Sequence, residues 1–371
     1  MHTKLDALWK RGTDFLGTRY AIMGGAMSWV SDRNLVAALS NAGAFGVIAN
    51  GSMPPELLEQ EIIETKRRLL PSLSGRGQGE GLSALSMLKD PHPGPLPEGE
   101  GEGEARMPFG VNLIIMHPQL EQLIEVCRRQ NVTHVVLAGG IPSSGTVKAI
   151  KDYGAKVMGF APSAIIGRKL VRNGIDALVI EGMEAGGHIG PVTTSVLAQE
   201  VLPQITDVPV FIAGGIGRGE AMVSYLEMGA SGVQLGTRFV CATESIAHPK
   251  FKELFIRSQA RDAVPSVQLD PDFPVIPVRA IANKATDAFA RMQREVIEQV
   301  ARGELDKKEA QLKIEHFWAG ALRKAVIDGD IENGSVMAGQ SVGMVSKIEP
   351  VQAIIDELIA QGEAYLERCA A

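Results

Sequence analysis

One histidine stands almost without side-chain neighbours in the sequence. His188 lies in EGMEAGGHIG (181–190), among Gly182, Gly186, Gly187 and Gly190. An imidazole there is a natural proton donor or acceptor near neutral pH. Two further glycine groups stand at AGGIG (213–217) and LGTR (235–238), contributing Gly214, Gly215 and Gly236. Main-chain N–H groups exposed by glycine at helix starts suit a phosphate monoester, whose oxygens a Cβ would hold away. Glu181 and Glu184 flank the histidine, and a carboxylate in such a turn more often ties down nearby amides than does chemistry, so both are read as structural. The other histidines are ordinary: His2 is terminal, His92 falls in a polar stretch, and His117, His134, His248 and His316 sit in helix or strand contexts. No HxH, HExxH or CxxC occurs, so no metal is expected. No GxSxG occurs, and no cysteine stands beside a base at a candidate strand end, which leaves a Ser or Cys nucleophile unsupported.

The elements that must position these residues alternate along the chain. Short, unalternating apolar runs predict buried parallel strands at Tyr20–Met23, Gly46–Ile48, Phe109–Ile115, His134–Leu137, Lys156–Phe160, Ala177–Ile180, Val208–Ile212 and Gly232–Leu235. Between them, Asp32 caps a helix over Arg33–Asn41, Pro54 and Pro55 open one through Leu70, and Pro118 opens one through Arg129. Gly145–Tyr153, Ala164–Asn173, Thr194–Leu202 and Gly219–Met228 complete the set. The tails NAGA, DYGA, RNGI and EMGA recur after four of the helices, each glycine serving as a left-handed cap before the next strand. Eight strand–helix units predict a (β/α)8 barrel of TIM type, whose chemistry sits at the C-terminal strand ends. The rival open doubly wound sheet lacks its GxGxxG fingerprint after the first strand. His188, both glycine groups, the Gly24–Trp29 turn and Ala138–Pro142 all fall just beyond strand ends, and Asn112 lies within the third strand.

Within the 371 residues, 37 Lys+Arg face 43 Asp+Glu, and no basic block offers a nucleic-acid footprint. Three separated cysteines exclude a disulfide framework. The opening MHTKLDALWKRGTDFLG has no apolar signal core, and no later run reaches the roughly 18 apolar residues of a membrane span, so the expectation is a soluble cytoplasmic protein. Residues 74–106 hold 8 Gly and 4 Pro among 33 positions and read as a low-complexity insertion without a core of its own. The expected organisation is a barrel over 1–73 and 107–243, the insertion between its two parts, and a mostly helical cap over 244–371 with an extended patch near Val275–Val278.

GGAMSWVSD, FGVNL (109–113), EGMEAGGHIG, AGGIGRGE (213–220) and QLGTRFV (234–240) together resemble the nitronate monooxygenase superfamily, FMN-dependent (β/α)8 barrels. ESIAHPKFKE (244–253), VRAIANK (278–284) and GALRKAVIDGDIENGSVMAGQSVGMVSK (320–347) are more similar to its enoyl-acyl-carrier-protein reductase II branch. The resemblance implies FMN over the barrel mouth, its phosphate held by Gly214, Gly215, Gly236 and Thr237, with Gly339 and Gln340 nearby. Gly25, Ala26, Met27 and Asn112 would meet the flavin ring, and Gly187 and Gln234 complete the implied cofactor set. Ala26 departs from the glycine expected of the reductase branch and narrows the approach to the flavin, and Ala138-Gly139-Gly140 departs from both branches. The resemblance implies NAD(P)H as reductant and an acyl-carrier-protein or CoA thioester as substrate, with His188 as catalytic residue and the α-proton coming from it or from its water. The alternative is a nitronate monooxygenase in which His188 is the base and O2 the oxidant. A third reading, a non-redox phosphate-binding barrel such as an aldolase or ligand sensor, rests on the glycine loops alone. No nucleic-acid or membrane partner is expected, and a homodimer is compatible with the reading.

Overall fold

The computed structural model describes residues 4–51, 53–70, 107–270 and 276–370. The expected insertion at 74–106 lies outside the described residues, as does Val275 of the expected extended patch. Strands β1 (Ile22–Gly24), β2 (Gly46–Ala49), β3 (Phe109–Ile114), β4 (His134–Ala138), β5 (Lys156–Phe160) and β6 (Ala177–Glu181) lead to a two-residue β7 (Gly187–His188), then β8 (Val210–Ala213) and β9 (Gly232–Leu235). Eight of these, all but β7, form one parallel sheet in the order β1-β9-β8-β6-β5-β4-β3-β2. A parallel bridge from Met23 to Phe45 joins its two edges, with the Phe45 amide on Ile22 O and the Gly24 amide on Phe45 O, both at 2.8 Å. The sheet is therefore a closed barrel with helices outside, as the alternating pattern predicts.

The same local chemistry that marked the elements builds them. Asp32 accepts from the amides of Asn34 (3.1 Å) and Leu35 (3.2 Å) at the start of helix Arg33–Asn41. The glycines of the four repeated tails, Gly43, Gly154, Gly174 and Gly229, all have φ between +83° and +105°, the left-handed turn from helix to strand. Strand and helix ends agree with the sequence pattern to within two residues.

Two regions depart from the pattern. Helices Lys4–Leu8 and Lys10–Leu16 plug the N-terminal end of the barrel, burying Leu5, Trp9 and Leu16. The carbonyl of Phe15 there meets His134 Nε2 (3.0 Å) and the ammonium of Lys156, while its ring packs edge-on against His134. Beyond β9 the chain is helical at Pro249–Arg257, Lys284–Ala301, Lys307–Val326 and Val351–Ala370, but it also carries β10 (Ala263–Pro265), β11 (Val278–Ile281) and β12 (Val336–Met337). These strands and β7 make a small antiparallel sheet centred on β11. The extended patch thus lies slightly later than expected and belongs to a sheet the sequence pattern does not reveal. Among the described residues no helix is long and apolar enough to cross a membrane.

Candidate active site

The loops after β8 and β9 converge with a segment from the C-terminal region. Gly214 and Gly215 have φ of +94° and +74°, a conformation that side chains rarely adopt, and a Cβ on Gly214 would lie 3.0 Å from Gly182 O. Gly236 precedes the short turn Thr237–Val240, which has no side-chain cap. Thr237 is buried, and its Oγ1 accepts the Gly339 amide at 3.0 Å. The Gln340 amide donates to Glu184 O at 2.9 Å, and a Cβ on Gly186 would come within 2.6 Å of Gly339 N. Gly214, Gly215, Gly236, Thr237, Gly339 and Gln340 are thus gathered at one junction where the β8 and β9 loops and the C-terminal segment approach closely through their main chains. The chemistry of this main-chain cradle fits a phosphate monoester: Gly214 and Gly215 carry no side chain to hold phosphate oxygens away, and Gly236 leads into a short helical turn without a side-chain cap.

The turn after β1 borders this cradle. The Gly25 amide bonds Leu235 O (2.8 Å), and the Cβ position of Gly25 lies 3.6 Å from the Gln234 side chain. Ser31 Oγ closes the turn by donating to Gly25 O (2.8 Å) and accepting from Met27 N (3.0 Å). Met27 Sδ lies 3.3 Å from where a Gly236 Cβ would stand, so the first and last strand ends are side by side. Ala26 is part-buried in the same turn. Trp29 holds φ +66°, a strained value for an aromatic residue, with the Arg323 guanidinium 5.7 Å from its ring centre. Asn112, on β3, is buried and donates from Nδ2 to Val136 O at 3.0 Å.

His188 is exposed, but it is not in a free loop. It forms β7 with Gly187, and the two register with Val278 and Arg279 of β11. The Ile189 amide continues the link to Pro277 O at 2.9 Å. Glu184 is structural as expected, its Oε2 accepting from the Thr194 amide (2.8 Å) and hydroxyl (2.9 Å). Glu181 differs. Burial pushes its carboxyl up to about 7, and the nearby His188 pulls in the opposite direction. A carboxyl raised toward neutrality beside an imidazole marks this strand end as a candidate for proton-transfer chemistry. The sequence reading missed this, because burial of a strand-end glutamate is a tertiary property. It also missed Arg279, whose one signal was a cation within the apolar run VIPVRAIA. Burial pushes the thiols of Cys127 and Cys241 up to about 12, so neither supplies a thiolate nucleophile.

Known proteins resemble the chain over most of its length. The family profile described as "Nitronate monooxygenase" matches residues 10–69 and 103–361. The solved structure of FabK from Thermotoga maritima is 32% identical, with 97% of this chain and 98% of that chain covered and a TM-score of 0.78. A Mycobacterium tuberculosis protein named (3aS,4S,5R,7aS)-5-hydroxy-7a-methyl-1-oxo-octahydro-1H-indene-4-carboxyl-CoA dehydrogenase is 24% identical over 386 residues, covering 97% of each chain. A protein of Staphylococcus saprophyticus named "Probable nitronate monooxygenase" is 27% identical over 374 residues, covering 96% of this chain and 99% of its own. With the barrel, the cradle and a family match spanning most of its length, the chain belongs to the nitronate monooxygenase family and is an oxidoreductase of that family.

Proposed function

We propose that the protein is an FMN-dependent reductase that takes electrons from NAD(P)H and saturates the double bond of an enoyl thioester carried on acyl-carrier protein or CoA. The observation that carries this reading is the junction of the amide-walled cradle with the His188 strand through Glu184, Gly186 and Gly339. The full-length likeness to FabK, an enoyl-acyl-carrier-protein reductase II, supports the thioester, and so does a relative named for a carboxyl-CoA substrate.

Gly214, Gly215, Gly236 and Thr237, with Gly339 and Gln340, would hold the FMN phosphate. Gly25, Ala26, Met27 and Asn112 would border the ring, with Gly187 and Gln234 close by. Bound FMN would supply hydride for the β-carbon of the enoyl group. His188 would deliver the proton due at the α-carbon, and its charge acts on the Glu181 carboxyl nearby.

A second reading, a nitronate monooxygenase, is favoured by the family profile and by the staphylococcal relative. There His188 acts as base and O2 is the final oxidant. Pyridine-nucleotide oxidation by the FMN-loaded protein, measured with and without crotonyl-CoA, tests the first reading. Thioester-stimulated turnover is expected. Oxygen uptake on propyl-2-nitronate without NAD(P)H, with no thioester response, would transfer the assignment to the second.

A further inference from the structure

Arg279 is 3% exposed at the centre of the small sheet, yet no carboxylate is hydrogen-bonded to its guanidinium in the described contacts. Its Nε donates to Met183 O at 2.8 Å and its Nη1 to Ala263 O at 2.5 Å. Burial lowers its pKa, opposed only by the charge of Glu184, whose own Oε2 is taken up by Thr194. A buried cation bonded to neutral carbonyls is costly, and an apolar side chain would fill the same space between β10 and the loop more cheaply. Such a group therefore needs a reason beyond packing.

Its partners supply one. Met183 begins the loop that ends at His188, and on the opposite strand Arg279 registers with Gly187, the residue before the histidine. One side chain thus bonds the loop's start while its own backbone pairs beside the loop's end, and Ala263 fixes it from β10. The cradle side of the same loop is held separately, through Glu184 O to Gln340 N and the close approach of Gly186 to Gly339. Cutting the arginine side-chain tie would free the loop's start at Met183, while the main-chain pairing of β7 with β11 and the cradle contacts stay in place.

We propose that Arg279 is a positioning residue for His188: it fixes the 183–188 loop so that the imidazole is held at the barrel mouth, without touching cofactor or substrate itself. This rests on the role given to His188 above.

The test compares wild type with Arg279→Met, which keeps an unbranched apolar stem but donates nothing, and Arg279→Lys, which keeps the charge and can reach one carbonyl. FMN affinity is measured by fluorescence quenching, and the His188 ring signal is followed by NMR, assigned with His188→Gln. Steady-state kinetics use whichever substrate, enoyl thioester or nitronate, the wild type turns over. The expected result is FMN affinity within about threefold of wild type, a kcat lowered at least about tenfold with KM little changed, and a shifted or broadened His188 signal. Arg279→Lys should fall between the other two. An unchanged His188 signal with kcat within about twofold of wild type would overturn the proposal, as would a kcat loss matched by an equal loss of FMN affinity. If Arg279→Met does not fold, Arg279→Lys alone decides by the same criteria. Should the wild type turn over neither substrate, the functional reading fails on its own, and the His188 signal still judges the positioning role.

Discussion

The hydroxyl of Thr237 accepts the amide of Gly339 at 3.0 Å across 102 positions of chain. That bond joins the last barrel strand end to the C-terminal segment, and it lies in the floor of the proposed phosphate cradle. Thr237→Val keeps the shape and leaves the buried amide unpaired, a loss of about 1–3 kcal/mol. FMN affinity is expected to fall about tenfold or more, read by fluorescence titration, and an unaltered affinity would remove Thr237 from the cradle.

Gly215 makes a separate case. Its φ of +74° penalises any side chain, and a Cβ would press to 3.1 Å from the Glu184 Cβ. Gly215→Ala should weaken FMN binding and lower Tm by a few degrees, from strain of about 1–2 kcal/mol. Restoring affinity by excess FMN, with kcat then near wild type, would place the defect in binding alone.

His188→Gln should retain FMN and lose about 100-fold or more in kcat, the usual worth of a positioned proton donor. Equal losses in FMN affinity would instead mark the residue as structural.

Glu181 carries a pH signature. Because its carboxyl is raised to about 7, folding favours its protonated form. The stability this contributes is complete below the unfolded carboxyl value near 4.3 and is lost as pH rises through about 7. Glu181→Gln, neutral at all pH, should therefore raise Tm by about 2–5 °C at pH 8 and change it little at pH 5. It should also remove any limb near pH 7 from the kcat profile. A Tm gain that is the same at both pH values would contradict the assignment.

At the opposite end of the barrel the sign reverses. Burial lowers His134 to about 4, only partly offset by its bond to Phe15 O. An unfolded histidine binds its proton near 6.5, so the stability from the neutral ring is present above that value and drains away as pH falls toward 4. In full the effect is roughly 3 kcal/mol, of which about 2 kcal/mol is lost between pH 7 and pH 5. Urea unfolding at both pH values checks this, with His134→Gln expected to flatten the difference.

The barrel was legible because each strand is a compact apolar run followed by a helix with its own cap and glycine exit. Asp32, Gly43, Gly154, Gly174 and Gly229 act within a few residues of themselves, and local signals of that kind survive in one dimension. The small sheet did not show. β7 and β12 have two residues each, too short for any alternation, and they find β11 from about 90 and 55 positions away. Arg279 and Glu181 were hidden for the same reason, since what matters about them is burial by distant segments. The cradle glycines could be picked out from motif and strand end together, whereas the bond from Thr237 to Gly339 could not.

Anaerobic titration of the FMN-loaded protein with NAD(P)H, followed by an enoyl thioester, tests the central claim most directly. The account predicts that the flavin absorbance bleaches on adding the nucleotide and returns on adding the thioester. A colourless protein that takes up no FMN, or a flavin that only a nitronate reduces, would contradict it.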